Sequence, residues 1–274
     1  MTSVNSVDTH EIVREHYGKV ARTDGACGCG TGCCDGSVNP STALGYGETD
    51  LAGLPAGADM GLGCGTPLAF AALQEGETVL DLGSGGGIDC FLAAKQVGPT
   101  GRVIGVDMTA DMIAKARRNA ATVSATNVEF RLGEIEHLPL PDRTVDAIVS
   151  NCVINLSPDK PAVFREAFRV LRPGGRLAIS DIVTSTPLPA EIKNDPEALA
   201  GCIAGAPAVS EVEKALRAAG FTAISVEINE ASRSFIKGWN PGSGVENYVA
   251  SAVIRATRPA GEGCCGTTPD ASCC

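Results

Sequence analysis

The sequence predicts a doubly wound α/β fold with a mostly parallel sheet, an N-terminal extension and a smaller C-terminal region. Short apolar strands alternate with helical segments from Glu77 onward, a glycine-rich turn follows the first of these strands, and 274 residues suffice for one sizeable domain. We expect an N-terminal extension with a Cys-rich loop at 1–72, a ligand-binding core at 73–183, a substrate-covering region at 184–258 and a Cys-rich disordered tail at 259–274.

The individual strands and helices follow from the apolar runs and their punctuation. Strands are expected at 78–82, 102–107, 128–132, 145–150 and 176–181, followed by two final strands at 221–228 and 248–257. Helices are expected around 92–95, at 111–121 and 160–171, and before Gly220. Capping boxes formed by Asp8 with Glu11 and by Ser210 with Glu213 predict the starts of the first and the last helix.

Charge and composition exclude several classes of protein. A formal net charge of −10, with Lys and Arg scattered, disfavours a nucleic-acid partner because an acidic chain repels phosphate backbones. We find no signal-peptide pattern and no run of eighteen apolar residues, so we expect a cytoplasmic protein without a membrane partner. The 12 cysteines then point to metal binding or catalysis, since cytosolic thiols stay reduced.

The glycine-rich turn marks a cofactor site. It runs from Asp81 to Gly87, at the end of the first strand and the start of a helix, where glycines let the backbone approach a ligand closely. Asp107 ends the second strand, in a position that suits a carboxylate bound to both ribose hydroxyls. A dinucleotide fingerprint is disfavoured because Ile88 stands where its third glycine belongs.

Four cysteines lie in or beside the expected core. Cys90 is in the first turns of the helix after the glycine turn, where the positive helix terminus favours a thiolate. Cys152 directly follows the fourth strand, at the edge where doubly wound folds bind substrates. Cys202 lies in the connection after the fifth strand, and Cys64 precedes the core on a Gly-rich loop. Each of them alone can also be a small buried hydrophobe without a chemical role.

The glycine turn resembles that of class I methyltransferases, which bind S-adenosylmethionine with an E/D-x-G-x-G-x-G turn on a Rossmann-like fold. The resemblance implies that Met108 flanks the adenine and that Glu134, beside Ile135, faces its amino group. The cofactor-binding residues implied in this way are Asp81, Gly83, Ser84, Gly85, Gly87, Asp107, Met108, Glu134 and Ile135.

Most of residues 60–260 resemble the arsenite methyltransferase family, most specifically at 151–160, 81–90 and 63–67. The resemblance implies methylation of arsenite in arsenic detoxification, with arsenic presented as a thiol conjugate and thioredoxin or glutathione as the reductant. It implies a catalytic set of Cys64, Cys90, Cys152 and Cys202, and we expect a monomer. Within this set Cys152 and Cys202 hold arsenic(III) as paired thiolates, Cys64 is a further arsenic ligand, and Cys90 is the redox partner of Cys64.

The chemistry agrees with the residues. Thiolates are soft ligands that suit thiophilic centres, and a lone pair on arsenic needs no general base to attack a sulfonium methyl. The histidines are confined to His10, His16 and His137, none of which suggests a catalyst. Two other hypotheses stay open: a methyltransferase of a small organic molecule, and a non-catalytic thiol-rich protein that sequesters soft ions.

Eight further cysteines cluster near the two ends of the chain: Cys27, Cys29, Cys33, Cys34, Cys264, Cys265, Cys273 and Cys274. The first four fit a zinc site poorly because they lack a second, separated pair. The tail pairs are either mobile surface thiols or an arm that gathers arsenic for the core.

Overall fold

The computed structural model describes residues 6–23, 39–239 and 242–261. A seven-stranded sheet forms its centre. The strands are β1 (Thr78–Leu82), β2 (Arg102–Asp107), β3 (Val128–Leu132), β4 (Val145–Asn151), β5 (Leu171–Thr184), β6 (Thr222–Asn229) and β7 (Val249–Thr257). Each of these strands overlaps one predicted from the apolar runs.

The strand order β3-β2-β1-β4-β5-β7-β6 confirms the doubly wound, mostly parallel sheet. Strands β1 to β5 pair in parallel, whereas β7 runs antiparallel between β5 and β6. The chain winds outward in one direction from β1 and in the other from β4. The carboxyl ends of these two strands therefore form the switch point at which doubly wound sheets bind their ligands.

Ten helices flank the sheet in the described part of the chain. They are α1 (Ser6–Arg22), α2 (Pro40–Ala43), α3 (Glu48–Ala52), α4 (Ile88–Val97), α5 (Ala110–Thr122), α6 (Lys160–Val170), α7 (Ala190–Lys193), α8 (Pro196–Ala200), α9 (Val209–Ala219) and α10 (Arg233–Ile236). Among these residues, no helix is long and apolar enough to cross a membrane.

Both predicted capping boxes are wrong. Helix α1 already runs through Asp8 and Glu11, so neither residue stands at a helix start. Helix α9 begins at Val209, and the side chain of Glu211 accepts a hydrogen bond from the backbone N–H of Ala208 at 2.8 Å. Glu211 therefore occupies the third helical position, where a glutamate reaches back to the helix start.

Strand β5 is longer than the predicted 176–181. It starts at Leu171 and includes the Pro-Gly-Gly segment that we expected to separate a helix from a strand. Gly174 has a φ of +83°, and its N–H donates to the carbonyl of Arg258 at 2.9 Å. The glycine thus supplies a conformation that bends the chain while its backbone stays hydrogen-bonded next to β7.

Apolar side chains cover both faces of the sheet. One cluster joins β1, β4 and β5 to α6 and α9, and a second joins the opposite face to α4 and α5. A third cluster lies beyond the strand ends, where α1 and the segments after β5 and α10 meet. This third cluster closes one side of the cavity in which the candidate site lies.

Candidate active site

A cavity of about 770 Å³ opens at the carboxyl ends of β1, β2 and β4. One part of it is lined by Gly83–Gly86 and by Asp107–Thr109, and we call this part the cofactor end. Another part reaches Cys152 and Cys202, which lie close to Cys64 and Asp181; we call these four residues the thiol end. Helix α1 contributes His10, Val13, His16 and Tyr17 to the wall between solvent and the cavity.

The glycine turn has a backbone conformation that residues with a side chain rarely adopt. Gly83 has a φ of +71°, and a Cβ added there would overlap the side chain of Val153. Gly87, at the start of α4, has a φ of +98°, and its added Cβ would lie 2.7 Å from a ring carbon of Phe91. Glycine is required at both positions for backbone conformation and for space.

Asp107 fixes the far side of this turn. Its carboxylate accepts hydrogen bonds from the N–H groups of Gly85 at 3.0 Å and Thr109 at 2.8 Å. Burial raises the pKa of Asp107 above its usual value, although these two hydrogen bonds favour the charged form. The carboxylate therefore lies in the cavity wall in the position that the sequence predicts for ribose recognition.

One polar atom at the cofactor end has no partner in the protein. The hydroxyl of Ser84 is buried, and it makes no hydrogen bond to any other described residue. Orphaned buried hydroxyls are rare in folded proteins, because each costs free energy unless a ligand or water satisfies it. This orphan fits a polar cofactor bound against the glycine turn.

Asp81 lies at the base of the turn and lines the cavity. Burial, followed by the charge of Asp89, raises its pKa well above the usual value. The hydroxyl of Tyr46 donates to both carboxylate oxygens of Asp89, at 2.9 and 3.0 Å. Two carboxylates thus share a buried region, an arrangement that suits a positively charged group of a ligand.

The adenine side departs from the sequence prediction at one residue. Met108 and Ile135 line the cavity as expected, but Glu134 does not; its side chain instead pairs with Arg14 of α1. The carboxylate that lines the cavity here is that of Glu136, which is 5% exposed and contacts His10 at 3.1 Å. Because α1 draws Glu134 outward, Glu136 is the better candidate for the acidic partner at this edge.

The thiol end brings together three cysteines from distant parts of the chain. Cys64, Cys152 and Cys202 are all buried and pack in the same apolar cluster. The thiol of Cys202 donates to the backbone carbonyl of Cys152 at 2.6 Å. Cys152 and Cys202 have φ values of +60° and +62°, a region that residues other than glycine seldom adopt.

The proximity of the thiols perturbs their acidity. Contacts with Cys202 and then Cys64, together with burial, raise the pKa of the Cys152 thiol well above its usual value. The contact with Cys152 lowers the pKa of Cys202, but burial together with the charges of Asp181 and Cys64 outweighs it, and the net shift is upward. These thiols are therefore protonated at neutral pH, and a thiophilic ligand must displace their protons.

Polar anchors hold the loop that carries Cys64. The side chain of Asn151 accepts from the Cys64 N–H at 3.0 Å and donates to the carbonyl of Gly65 at 2.7 Å. On the other side, the hydroxyl of Ser251 in β7 donates to the Cys64 carbonyl at 2.7 Å. Strands β4 and β7 thereby fix the loop against the sheet.

Cys90 lies in a different environment from the other three cysteines. It is fully buried in the apolar cluster around α4, and its thiol donates to Asp81 at 3.2 Å. Burial and then the charge of Asp81 raise the pKa of Cys90 well above its usual value. The prediction that the helix terminus favours a thiolate here is wrong, since desolvation and a neighbouring carboxylate outweigh the helix dipole.

One residue of the thiol end and one residue beside it were missed at the level of sequence. Asp181, near the carboxyl end of β5, places a carboxylate oxygen within 4.8 Å of the sulfur atoms of Cys64 and Cys152. Tyr17 of α1 donates from its hydroxyl to the carbonyl of Ala200 at 3.0 Å, beside Cys202. The position of Asp181 at a strand end was a usable signal, whereas nothing in the sequence links Tyr17 to this cavity. The terminal cysteine clusters lie outside the described residues.

Known proteins resemble this chain in both sequence and structure. Residues 73–220 match the family model of a methyltransferase domain. An arsenite methyltransferase of Halobacterium salinarum is 50% identical over 92% of this chain and 67% of its own length. An arsenite methyltransferase of Aquipseudomonas alcaligenes is 42% identical over 78% of this chain and 62% of its own length. The crystal structure of an arsenic(III) S-adenosylmethionine methyltransferase from Chlamydomonas reinhardtii superposes with a TM-score of 0.63 at 34% identity, covering 82% of this chain and 75% of that one.

Proposed function

Because this chain belongs to the arsenite methyltransferase family of class I methyltransferases, we propose that it methylates trivalent arsenic held by its own cysteine thiolates. One observation supports this proposal above all others. Three buried thiols, from three separate parts of the chain, pack in one cluster, and two of them, Cys152 and Cys202, line the same cavity as the glycine turn. A methyl donor at the turn and a thiophilic acceptor at the thiols are thus brought into one enclosed space.

The cofactor end has the groups that S-adenosylmethionine needs. The sulfonium of S-adenosylmethionine supplies an electrophilic methyl group when it is bound. In our proposal, the Asp107 carboxylate accepts from the ribose hydroxyls, and the Ser84 hydroxyl gains the partner that it lacks in the protein. The carboxylates of Asp81 and Asp89, which line the same cavity, would attract the positively charged amino end of the ligand.

At the thiol end, Cys152, Cys202 and Cys64 act as the arsenic ligands. Each thiol gives its proton to a hydroxyl that leaves arsenite as water, and each sulfur forms a bond to arsenic in its place. Arsenic in this state keeps a lone pair, which attacks the methyl group in line. The attacking atom bears no proton, so the protein needs no general base, and its contribution is positioning.

Methyl transfer raises arsenic formally to the pentavalent state, so a two-electron reductant must follow. In our proposal two cysteines supply these electrons by closing a disulfide, and Cys64 with Cys90 is the pair that the family resemblance implies. The thiols of Cys64 and Cys90 contact Ser180 and Asp81, at 3.8 and 3.2 Å, so both must rotate out of these contacts to form the bond. A small cellular thiol system, thioredoxin or glutathione, then reopens the disulfide by exchange.

We also propose that the protein works in the cytoplasm as a monomer. Its four described cysteines are free thiols, the state that a reducing compartment maintains. The described part of the site is assembled from a single chain, so a second copy is not needed to complete it.

Methyl transfer from labelled S-adenosylmethionine to arsenite, with excess thiol, tests the proposed function. We expect labelled methylarsenicals from the native protein and a loss of about 100-fold or more in Cys152→Ser and Cys202→Ser, since a hydroxyl is a poor ligand for a soft centre. Both variants should bind S-adenosylmethionine as the native protein does. Cys273→Ser, the same exchange in the tail, should keep the rate at saturating arsenite.

The outcome separates the proposal from its alternatives. Transfer at the native rate in either core variant would show that the arsenic site is assigned to the wrong residues. Cofactor binding without transfer to arsenite would instead point to a small organic methyl acceptor. If the protein bound arsenite equally well after loss of cofactor binding, and transferred no methyl group to it, these results would favour a protein that sequesters arsenite.

A further inference from the structure

The thiol end contains a carboxylate that arsenic methylation does not use. Asp181 is 2% exposed, and its two oxygens accept hydrogen bonds from the N–H groups of Ile182 at 2.8 Å and Ile154 at 2.9 Å. These bonds hold the carboxylate at the end of β5, with one of its oxygens within 4.8 Å of the sulfur atoms of Cys64 and Cys152. Burial raises the pKa of Asp181 to about 7. A buried carboxylate among thiols needs a reason, because it costs free energy that an apolar side chain would not.

The arrangement of the possible metal-ligand atoms at the thiol end supplies a reason for the buried carboxylate. The sulfur atoms of Cys64 and Cys152 and one carboxylate oxygen of Asp181 all lie within 4.8 Å of one another. Within the described residues, these three atoms form the group of potential metal ligands that lie close enough together to share an ion. The sulfur of Cys202 is not part of this group. The thiol end therefore offers two overlapping ligand sets, which are two thiols with a carboxylate and the three thiols proposed for arsenic.

The spacing suits a tetrahedral divalent cation. With Zn–S bonds of about 2.3 Å and Zn–O bonds of about 2.1 Å, ligand atoms of a tetrahedral zinc site are separated by about 3.6 to 3.8 Å. A contraction of at most about 1.2 Å from the 4.8 Å limit, within reach of small side-chain rotations, closes the site. Zinc accepts thiolate and carboxylate ligands together, and three protein ligands leave one position open to water.

We propose that Cys64, Cys152 and Asp181 form a zinc-binding site that excludes arsenite. The exclusion rests on the proposed function, because it assumes that Cys64 and Cys152 are also arsenic ligands; zinc binding itself does not. The two ligand sets share two sulfur atoms and differ in the third member, which is Asp181 for zinc and Cys202 for arsenic. Zinc therefore competes with arsenite and leaves the cofactor end unaffected.

The difference in the third ligand gives a test by two variants with opposite effects. The experiment uses the full chain with the eight terminal cysteines changed to serine, so that zinc bound elsewhere does not obscure the core. Those cysteines are Cys27, Cys29, Cys33, Cys34, Cys264, Cys265, Cys273 and Cys274. Zinc ions are added in equilibrium dialysis with a phosphine reductant, and arsenite binding is measured in parallel.

We expect one equivalent of zinc per chain. Asp181→Asn should weaken zinc binding at least tenfold and leave arsenite binding within about threefold, whereas Cys202→Ser should do the reverse, in line with the 10- to 100-fold effects of changes around metal ligands. Binding of S-adenosylmethionine serves as the folding control for both variants. Zinc affinity that survives Asp181→Asn, or that falls with Cys202→Ser as far as arsenite affinity does, overturns the proposal.

X-ray absorption spectroscopy of bound zinc tests the proposal even if Asp181→Asn does not fold. The zinc K-edge of the otherwise unaltered core should show two sulfur ligands with oxygen ligands completing the shell. A shell of three or four sulfur atoms, or the absence of any bound zinc, overturns the proposal. A failure of methyl transfer leaves this result unchanged, so the two proposals fail separately.

Discussion

At the cofactor end, most groups that face the ligand come from one stretch of chain between Asp81 and Thr109, joined by Ile135 and Glu136, whereas at the thiol end they come from four segments. The cofactor end is held by hydrogen bonds between near neighbours, such as that from the Thr109 N–H to Asp107 at 2.8 Å. The thiol end is held by long-range bonds, such as that from Ser251 to the carbonyl of Cys64. Local backbone geometry shapes the first, and the completed tertiary structure shapes the second.

The difference predicts that damage to one end can leave the other intact. The two ends are joined where Gly83 approaches Val153, the residue after Cys152, and also through Asn151, whose side chain donates to the Tyr46 hydroxyl at 2.9 Å. A substitution at the Gly83–Val153 contact should affect both ends most strongly, and substitutions elsewhere should affect mainly one end. Three variants examine this division.

The largest effect is expected from Gly83→Ala. The new Cβ meets Val153, and the φ of +71° adds strain, so the cofactor affinity should fall roughly 100-fold and arsenite affinity should fall with it. Calorimetric titrations with S-adenosylmethionine and with arsenite measure both. Gly174→Ala is the matched control, because Gly174 has a φ of +83° with nothing within 4 Å of an added Cβ. If Gly83→Ala and Gly174→Ala bound each of the two ligands with equal affinity, the cofactor end and the thiol end would not be joined at this contact.

A smaller effect, greater at the thiol end than at the cofactor end, is expected from Asn151→Ala. The variant frees the Cys64 loop by removing its bonds to the Cys64 N–H and the Gly65 carbonyl, so arsenite affinity should fall about tenfold. It also removes the hydrogen bond to the Tyr46 hydroxyl, which holds Asp89, so cofactor affinity should fall about threefold. Asn127→Ala is the control, since Asn127 donates to the carbonyls of Ala94 and Gly98 away from the cavity. It should lower the melting temperature without changing arsenite affinity. A larger loss of cofactor than of arsenite affinity in Asn151→Ala would contradict the division.

The smallest effect is expected from Ser84→Ala. Its hydroxyl bonds to no described residue, so the variant should fold at least as stably as the native protein while cofactor affinity falls about 3- to 10-fold. Thermal melts with and without S-adenosylmethionine measure both quantities. Ser150→Ala, which loses a hydrogen bond to the carbonyl of Leu82, should show the opposite pattern of lower stability and unchanged affinity. Unaltered cofactor affinity in Ser84→Ala would rule out a role for the hydroxyl in binding.

The same division explains what the sequence predicted. Strand periodicity located all seven strands, and the spacing from the glycine turn to Asp107 identified the cofactor end, because both depend on neighbours in the chain. The environment of Cys90 was predicted wrongly, since its burial beside Asp81 depends on how α4 packs against β1. Asp181 and Tyr17 were missed because a carboxylate at a strand end and a tyrosine in a distant helix meet the thiols only in the folded chain.

The hydrogen bond from Ser251 to Cys64 has a consequence for the order in which the protein is made. The two residues are separated by 187 positions, and the strand that carries Ser251 is the last strand of the sheet. At a translation rate of about 5 to 20 residues per second, the Cys64 loop waits roughly 10 to 40 s for its anchor after it has been synthesised. The glycine turn and Asp107 acquire their partners long before that. A growing chain therefore assembles its cofactor end first and leaves its core thiols without their final packing until β7 is in place, and during this interval they depend on the reducing power of their surroundings.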